Sequence, residues 1–216
     1  MLAKVIKLYR LDKSDDELIA TALKLEDIAV QQSSWDASLS YLEEARFRYE
    51  LLQNNKANHL LRHGLLAESL KYPYITNLQM YEQFSYAREI YEKIKNSCNP
   101  ELLNSVNDAL HSLALKSEYS ARGYSHDTHQ LMFLNFAKEI YYELKKYEDL
   151  QRLIDTAYEL TEFYCDIDAQ KRFLNFAFNI EDLPKLESIK NQSNADNSKS
   201  SNTNKRTTVS YIRIVK

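Results

Sequence analysis

Phe133-Leu134-Asn135-Phe136-Ala137 returns unchanged, 40 residues later, as Phe173-Leu174-Asn175-Phe176-Ala177. Fainter copies lie upstream. Aligned on the small residue, Ala45, Ala87, Ala137 and Ala177 fall in register at spacings of 42, 50 and 40. Four residues after each stand Tyr49, Tyr91, Tyr141 and Glu181, and seven after stand Leu52, Ile94, Leu144 and Pro184. Three before stand Leu42, Phe84, Leu134 and Leu174. An alanine lets a neighbouring helix approach closely, and an aromatic ring one turn later fills the gap beside it. The pentapeptide is therefore a packing device, and Asn135 and Asn175 are its only polar members.

Outward from these helices the chain reads as helix after helix. Asp15-Asp16-Glu17 is an acidic helix opening, followed by an apolar face of Leu18, Ala22, Leu25 and Ala29. Ser33 or Ser34 caps a second helix over 35–53, ended by Asn54-Asn55. A third covers 57–71 and stops before Pro73. Thr76 or Asn77 caps a fourth, to 96. Pro100 fits the first turn of a fifth, to 121, with Gly123 as its C-cap. Asp127 or Thr128 caps a sixth, to 146; a seventh covers 147–164; Asp166 or Asp168 opens an eighth, and Pro184 ends or bends the chain beyond it. Three regions result: an N-terminal extension over 1–14, a helical domain over 15–190, and a tail over 191–216. The Ser-, Asn- and Lys-rich part of that tail lacks the apolar residues needed to order it.

Composition narrows the classes. With 216 residues, 44% of them hydrophobic, the chain can bury a core. Two glycines and three prolines are too few for sandwiches, barrels or phosphate-cradling loops. From Lys185 onward seven Lys and Arg face only Glu187 and Asp196, so the tail is basic and the body acidic, a poor surface for nucleic acid. No stretch is apolar for long enough to span a membrane. Cys98 and Cys165 form no paired framework, which fits free thiols in a reducing, cytoplasmic setting; Cys165 reads as a half-buried filler.

The small-aromatic-apolar spacing resembles the second helix of tetratricopeptide (TPR) repeats over about residues 15–184, and Gly64, with Leu60 before it and Ala67 after it, is similar to their first helix. The spacings exceed the ~34 residues of the standard unit, so the resemblance is to a divergent, TPR-like repeat. It implies an all-α solenoid of about four antiparallel helix pairs whose first helices line a groove for a peptide or a partner protein. Polar residues of those helices are then the candidate contacts: Asn58 and Arg62; Asn104, Asn107 and His111; and Arg152 with Asp155 and Glu159. Asparagine can satisfy both sides of an extended backbone, and arginine can pair with a carboxylate.

Catalysis finds little support. His59 with His63, and Asp108 with His111, have spacings that could bring two metal ligands together, but no His-Glu-x-x-His or Glu-x-x-His pattern is present. The expectation is a non-catalytic adaptor without cofactor or metal. The alternatives are a regulatory sensor or secreted bacterial effector whose tail carries a signal and, last, a helical-bundle metalloenzyme. The seam beyond Phe176-Phe178 is a candidate homodimer surface.

Overall fold

The computed structural model describes residues 13–97 and 100–181, which form eight helices and no strand. They are α1 (Asp15–Val30), α2 (Trp35–Leu51), α3 (Lys56–Ser69), α4 (Asn77–Asn96), α5 (Pro100–Arg122), α6 (Asp127–Glu143), α7 (Tyr147–Phe163) and α8 (Ile167–Glu181). The expectations for residues 1–12, Cys98, Pro184 and the 191–216 tail lie outside the described residues. No helix among the described residues is long and apolar enough to cross a membrane.

Local chemistry sets the helix ends. Ser14 and Glu17 form a reciprocal capping box on α1, and Thr76 and Gln79 form another on α4. Ser34 caps α2, and Asp166 accepts from the Ala169 N–H at 3.0 Å to open α8. Two expected termini differ. Asp127 is the first residue of α6, after an uncapped His126, because its carboxylate is drawn to Arg172 Nε at 2.6 Å. Gly123 follows α5 without a left-handed φ, so it is no glycine C-cap; among the described residues the left-handed positions are Asn55 and Lys145. Cys165 is exposed rather than half-buried. The ring before it, Tyr164, turns inward to stack on Phe173 at 5.5 Å and leaves the thiol outside.

Consecutive helices make the most extensive contacts: α1 with α2, α3 with α4, α5 with α6 and α7 with α8. In the first of these, Asp15 at the start of α1 accepts from the Asn54 N–H past the end of α2, at 3.0 Å. At the other end Ser38 of α2 donates to the Ala29 carbonyl at 2.8 Å. The four aligned alanines are fully buried, as are Trp35, Phe133, Phe173 and the three aligned tyrosines. Gly64 serves the same closeness. A Cβ there would fall 2.6 Å from Tyr91 Cε1, so α3 touches the ring of α4 directly.

The residue after each of the first three alanines ties one even-numbered helix to the next. Arg46 of α2 reaches Glu89 of α4 at 2.6 Å and lies over the Tyr86 ring at 5.5 Å. Arg88 of α4 repeats this on α6, with Glu139 at 2.7 Å and the Phe136 ring at 5.4 Å. Lys138 of α6 then lies over the Phe176 ring of α8 at 5.5 Å. Each such cation–ring contact contributes about 0.5–1 kcal/mol at a partly exposed site, and the series runs through α2, α4, α6 and α8.

This packing has two measurable consequences. Gly64→Ala gains helix propensity of about 1 kcal/mol but must displace the Tyr91 ring, so urea melts should show a net loss of roughly 1–2 kcal/mol, smaller in a Tyr91→Leu background. Acid should also destabilise the protein in two stages. Arg46 holds the Glu89 carboxyl below its ordinary value; burial raises Glu50, but Lys93 and Arg46 outweigh it and hold that group low as well. Both bind protons more weakly folded than unfolded, so their contribution is complete above the ordinary range and is lost as pH falls through the folded values. Burial likewise lowers His59, whose unfolded form takes up a proton first. Tm should therefore decline gently below about pH 6.5 and steeply below about pH 4, with the steep part reduced in Arg46→Gln.

Candidate peptide-docking face

Three glutamates on odd-numbered helices, Glu26 of α1, Glu68 of α3 and Glu118 of α5, are 3%, 8% and 5% exposed. They repeat at the spacings of Tyr49, Tyr91 and Tyr141. Each lies beside the tyrosine of its own helix pair and takes a cation from the following one. Arg62 of α3 donates to Glu26 Oε2 at 2.7 Å and to the Tyr49 hydroxyl at 2.5 Å. Lys116 of α5 reaches Glu68 Oε1 at 2.8 Å. Arg152 of α7 grips Glu118 with two nitrogens, at 2.9 and 2.7 Å, while the Tyr141 hydroxyl donates to Glu118 Oε2 at 3.0 Å. Burial, and then the neighbouring carboxylate, raise all three phenols, so they stay protonated and able to donate. The fourth pair reverses the residues: Tyr158 of α7 stands at the glutamate position and donates to Glu181 of α8 at 3.3 Å.

The residues expected from sequence to bind a partner fall into this frame unevenly. Arg62 is committed to Glu26. His111 and Arg152 meet at Asp149, at 2.7 and 2.5 Å. Burial pushes the Asp149 carboxyl up, but the hydrogen bonds from Arg152 and His111 outweigh it and hold it below its usual range. Asn104 and Asn107 come together with Asp108, Leu144 and Lys146 around a cavity of about 480 Å³. Asn58 is exposed on α3, as is Asp155 on α7, and Glu159 pairs with Arg122 at 3.2 Å.

The four metal-spaced residues stay as two pairs, His59 and His63 on α3 and Asp108 and His111 on α5. His63 is fully buried between Glu26 at 2.7 Å and the Tyr86 hydroxyl at 2.9 Å, and His59 stacks on Tyr49. His111 faces Asp149. Among the described residues no group of three or more His, Cys, Asp and Glu side chains is placed to hold a metal ion. Phe178 is half exposed on α8.

What sequence reasoning passed over is an apolar row. Leu23, Leu65 and Leu115 occupy the same repeat position on α1, α3 and α5 and are 37%, 42% and 40% exposed. Beside Leu115 opens a cavity of about 600 Å³ between α3, α4 and α5, with Leu70, Met80 and Phe84 among its walls and Tyr119 at its rim. Its walls are apolar, with hydroxyl groups, the ammonium groups of Lys71 and Lys116 and the carboxylate of Glu68 around them. The signal is present in the sequence, because one leucine on each of the first three odd-numbered helices recurs at the spacing of the alanines, with Asp155 at that position of α7. A period taken as a mark of burial alone hides it.

Removing one cation should expose the cost of the buried carboxylates. Arg152→Ala leaves Glu118 without its cation. Breaking a fully buried pair costs about 3–5 kcal/mol, but the Arg152 side chain is 41% exposed, so a loss nearer roughly 1–3 kcal/mol is expected in urea melts. Glu118→Gln in that background should recover part of it.

Comparison of the chain with protein-family descriptions, with curated proteins and with solved structures gives no match.

Proposed function

We propose that this protein is a non-catalytic scaffold that holds a peptide or a partner protein on its odd-numbered helices, built as a TPR-like solenoid of four antiparallel helix pairs. Support for the solenoid comes from two recurring links between successive pairs. On one layer the glutamate of each of the first three pairs is met by a cation from the next. On the other, a cation of each even-numbered helix lies over the ring of the next. Contacts that repeat with the sequence and always reach the following pair are what a one-dimensional stack requires.

The observation that carries the binding role is the exposed leucine row, Leu23, Leu65 and Leu115, beside the cavity at Leu115. Exposed apolar side chains that recur in register on successive helices are a usual mark of a docking surface. Arg62, three residues before Leu65 on α3, adds a partly exposed guanidinium group while its bond to Glu26 holds the scaffold.

The test is capture from native lysate with the full chain and with Leu65→Asp/Leu115→Asp. Both leucines are already solvent-facing, so circular dichroism and Tm should change little, by less than about 1 kcal/mol. A partner retained by the wild-type chain and lost from the variant is the expected result. Equal capture by both would overturn the assignment of this face.

A further inference from the structure

The three buried glutamates are not served alike. Glu26 meets the His63 ring through Oε1 and Arg62 through Oε2, both at 2.7 Å. Glu118 takes two nitrogens of Arg152 and the Tyr141 hydroxyl. Glu68 takes the Lys116 ammonium on Oε1 at 2.8 Å. Its Oε2 is buried without a hydrogen-bond partner among the described residues, and so is the hydroxyl of Tyr91, the tyrosine of its own helix pair. Interior polar atoms are rarely left so, because water has been given up and nothing replaces it.

The repeat shows what is missing. Arg62 and Arg152 occupy one repeat position, and on α5 that position, 50 residues after the first and 40 before the second, is Ser112. Each arginine bonds the glutamate of the preceding pair. Each also donates to the tyrosine hydroxyl of that pair, at 2.5 and 3.1 Å, and lies over its ring at 5.8 Å. At the middle interface a short hydroxymethyl group stands at that position. Lys116, one turn further along α5, supplies a charge but a single bond.

The cavity of about 600 Å³ lies at this place. Ser112, Glu68 and Lys116 line it, and Leu70, Met80 and Phe84 give it apolar wall. A carboxylate lacking a second donor beside an apolar wall is what an arginine side chain matches: a planar fork for the oxygens and a methylene stem for the wall. The ammonium groups in the lining can give way. Lys71 is exposed, so its charge is screened by water, and the Lys116 side chain is 42% exposed. Glu68 is fixed in the interior and has no such freedom.

We propose that this cavity receives an arginine side chain of the partner. The guanidinium takes the place of the Lys116 ammonium and donates to Glu68 and to the Tyr91 hydroxyl, as Arg152 does to Glu118 and Tyr141, while its stem lies against the apolar wall. This rests on the scaffold reading above and names one side chain of the partner.

The experiment uses the full chain with isotope-labelled methionine methyl groups and N-acetyl-arginine amide as probe. Met80 lines the cavity and Met132 does not, so the two methyl signals separate binding in the cavity from a general effect of the solute. Titration should move the Met80 signal and leave that of Met132 in place. Half-saturation should come at a concentration about fivefold or more below that for N-acetyl-lysine amide, which keeps the charge without the fork, and for N-acetyl-citrulline amide, which keeps the shape without the charge. Lys116→Met removes the competing ammonium and should tighten binding about threefold or more. Ser112→Arg supplies the guanidinium from within the chain; it should raise Tm, abolish the Met80 response and reduce capture of the partner from lysate. A silent Met80, an equal response to the three compounds, or an undiminished response in Ser112→Arg overturns the assignment. Capture unchanged by Ser112→Arg gives the site to a free guanidinium compound and overturns the assignment to the partner. If Met80 is silent while capture still depends on Leu65 and Leu115, this inference fails and the scaffold reading stands.

Discussion

A buried carboxylate left without a cation costs several kcal/mol, and Glu26, Glu68 and Glu118 each take theirs from the following helix pair. That dependence orders the molecule. A pair bearing such a glutamate is incomplete until its successor packs against it, so each interface is demanded by charge as well as by apolar burial. The fourth pair has no successor among the described residues, and it carries Tyr158 in place of the glutamate, with Glu181 moved to a half-buried position on α8. A hydroxyl at that position needs one hydrogen bond and no counter-ion.

The even-numbered helices solve the same problem near water. Arg46, Arg88 and Lys138 follow their buried alanines, so the closest approach between helices also brings a cation over the next ring. The spacings of 42, 50 and 40 do not disturb this. Register between packed helices is set by positions within each helix, and the surplus residues are absorbed in connections and in the long α5. The cations that complete this frame are consumed by it. Arg62 and Arg152, obvious binding candidates by residue type, spend most of their hydrogen bonds inside the molecule. The large apolar side chains left exposed lie at positions the helix packing does not need, among them Leu23, Leu65 and Leu115.

The alanine register, the helix count and most caps were legible because each depends on residues within one or two turns of chain. Misreadings came where a distant group competed. Arg172 draws Asp127 away from capping, and Phe173 takes the Tyr164 ring and turns Cys165 outward. The candidate site was less legible. Asn104 with Asn107, and His111 with Arg152, come together on helix faces that periodicity indicates, but Asp149, which joins the second pair, gave no local sign of its role.

Sequence alone determined that this chain is helical, that its helices recur around a small residue and an aromatic one, and that its body is acidic. Those properties are sums over neighbours along the chain. Only the tertiary structure decided which glutamate meets which cation, and that the Tyr158 hydroxyl meets Glu181 in the last pair. Such pairings join residues 23 to 51 positions apart, and their energies depend on burial and distance, which exist only once the helices have packed.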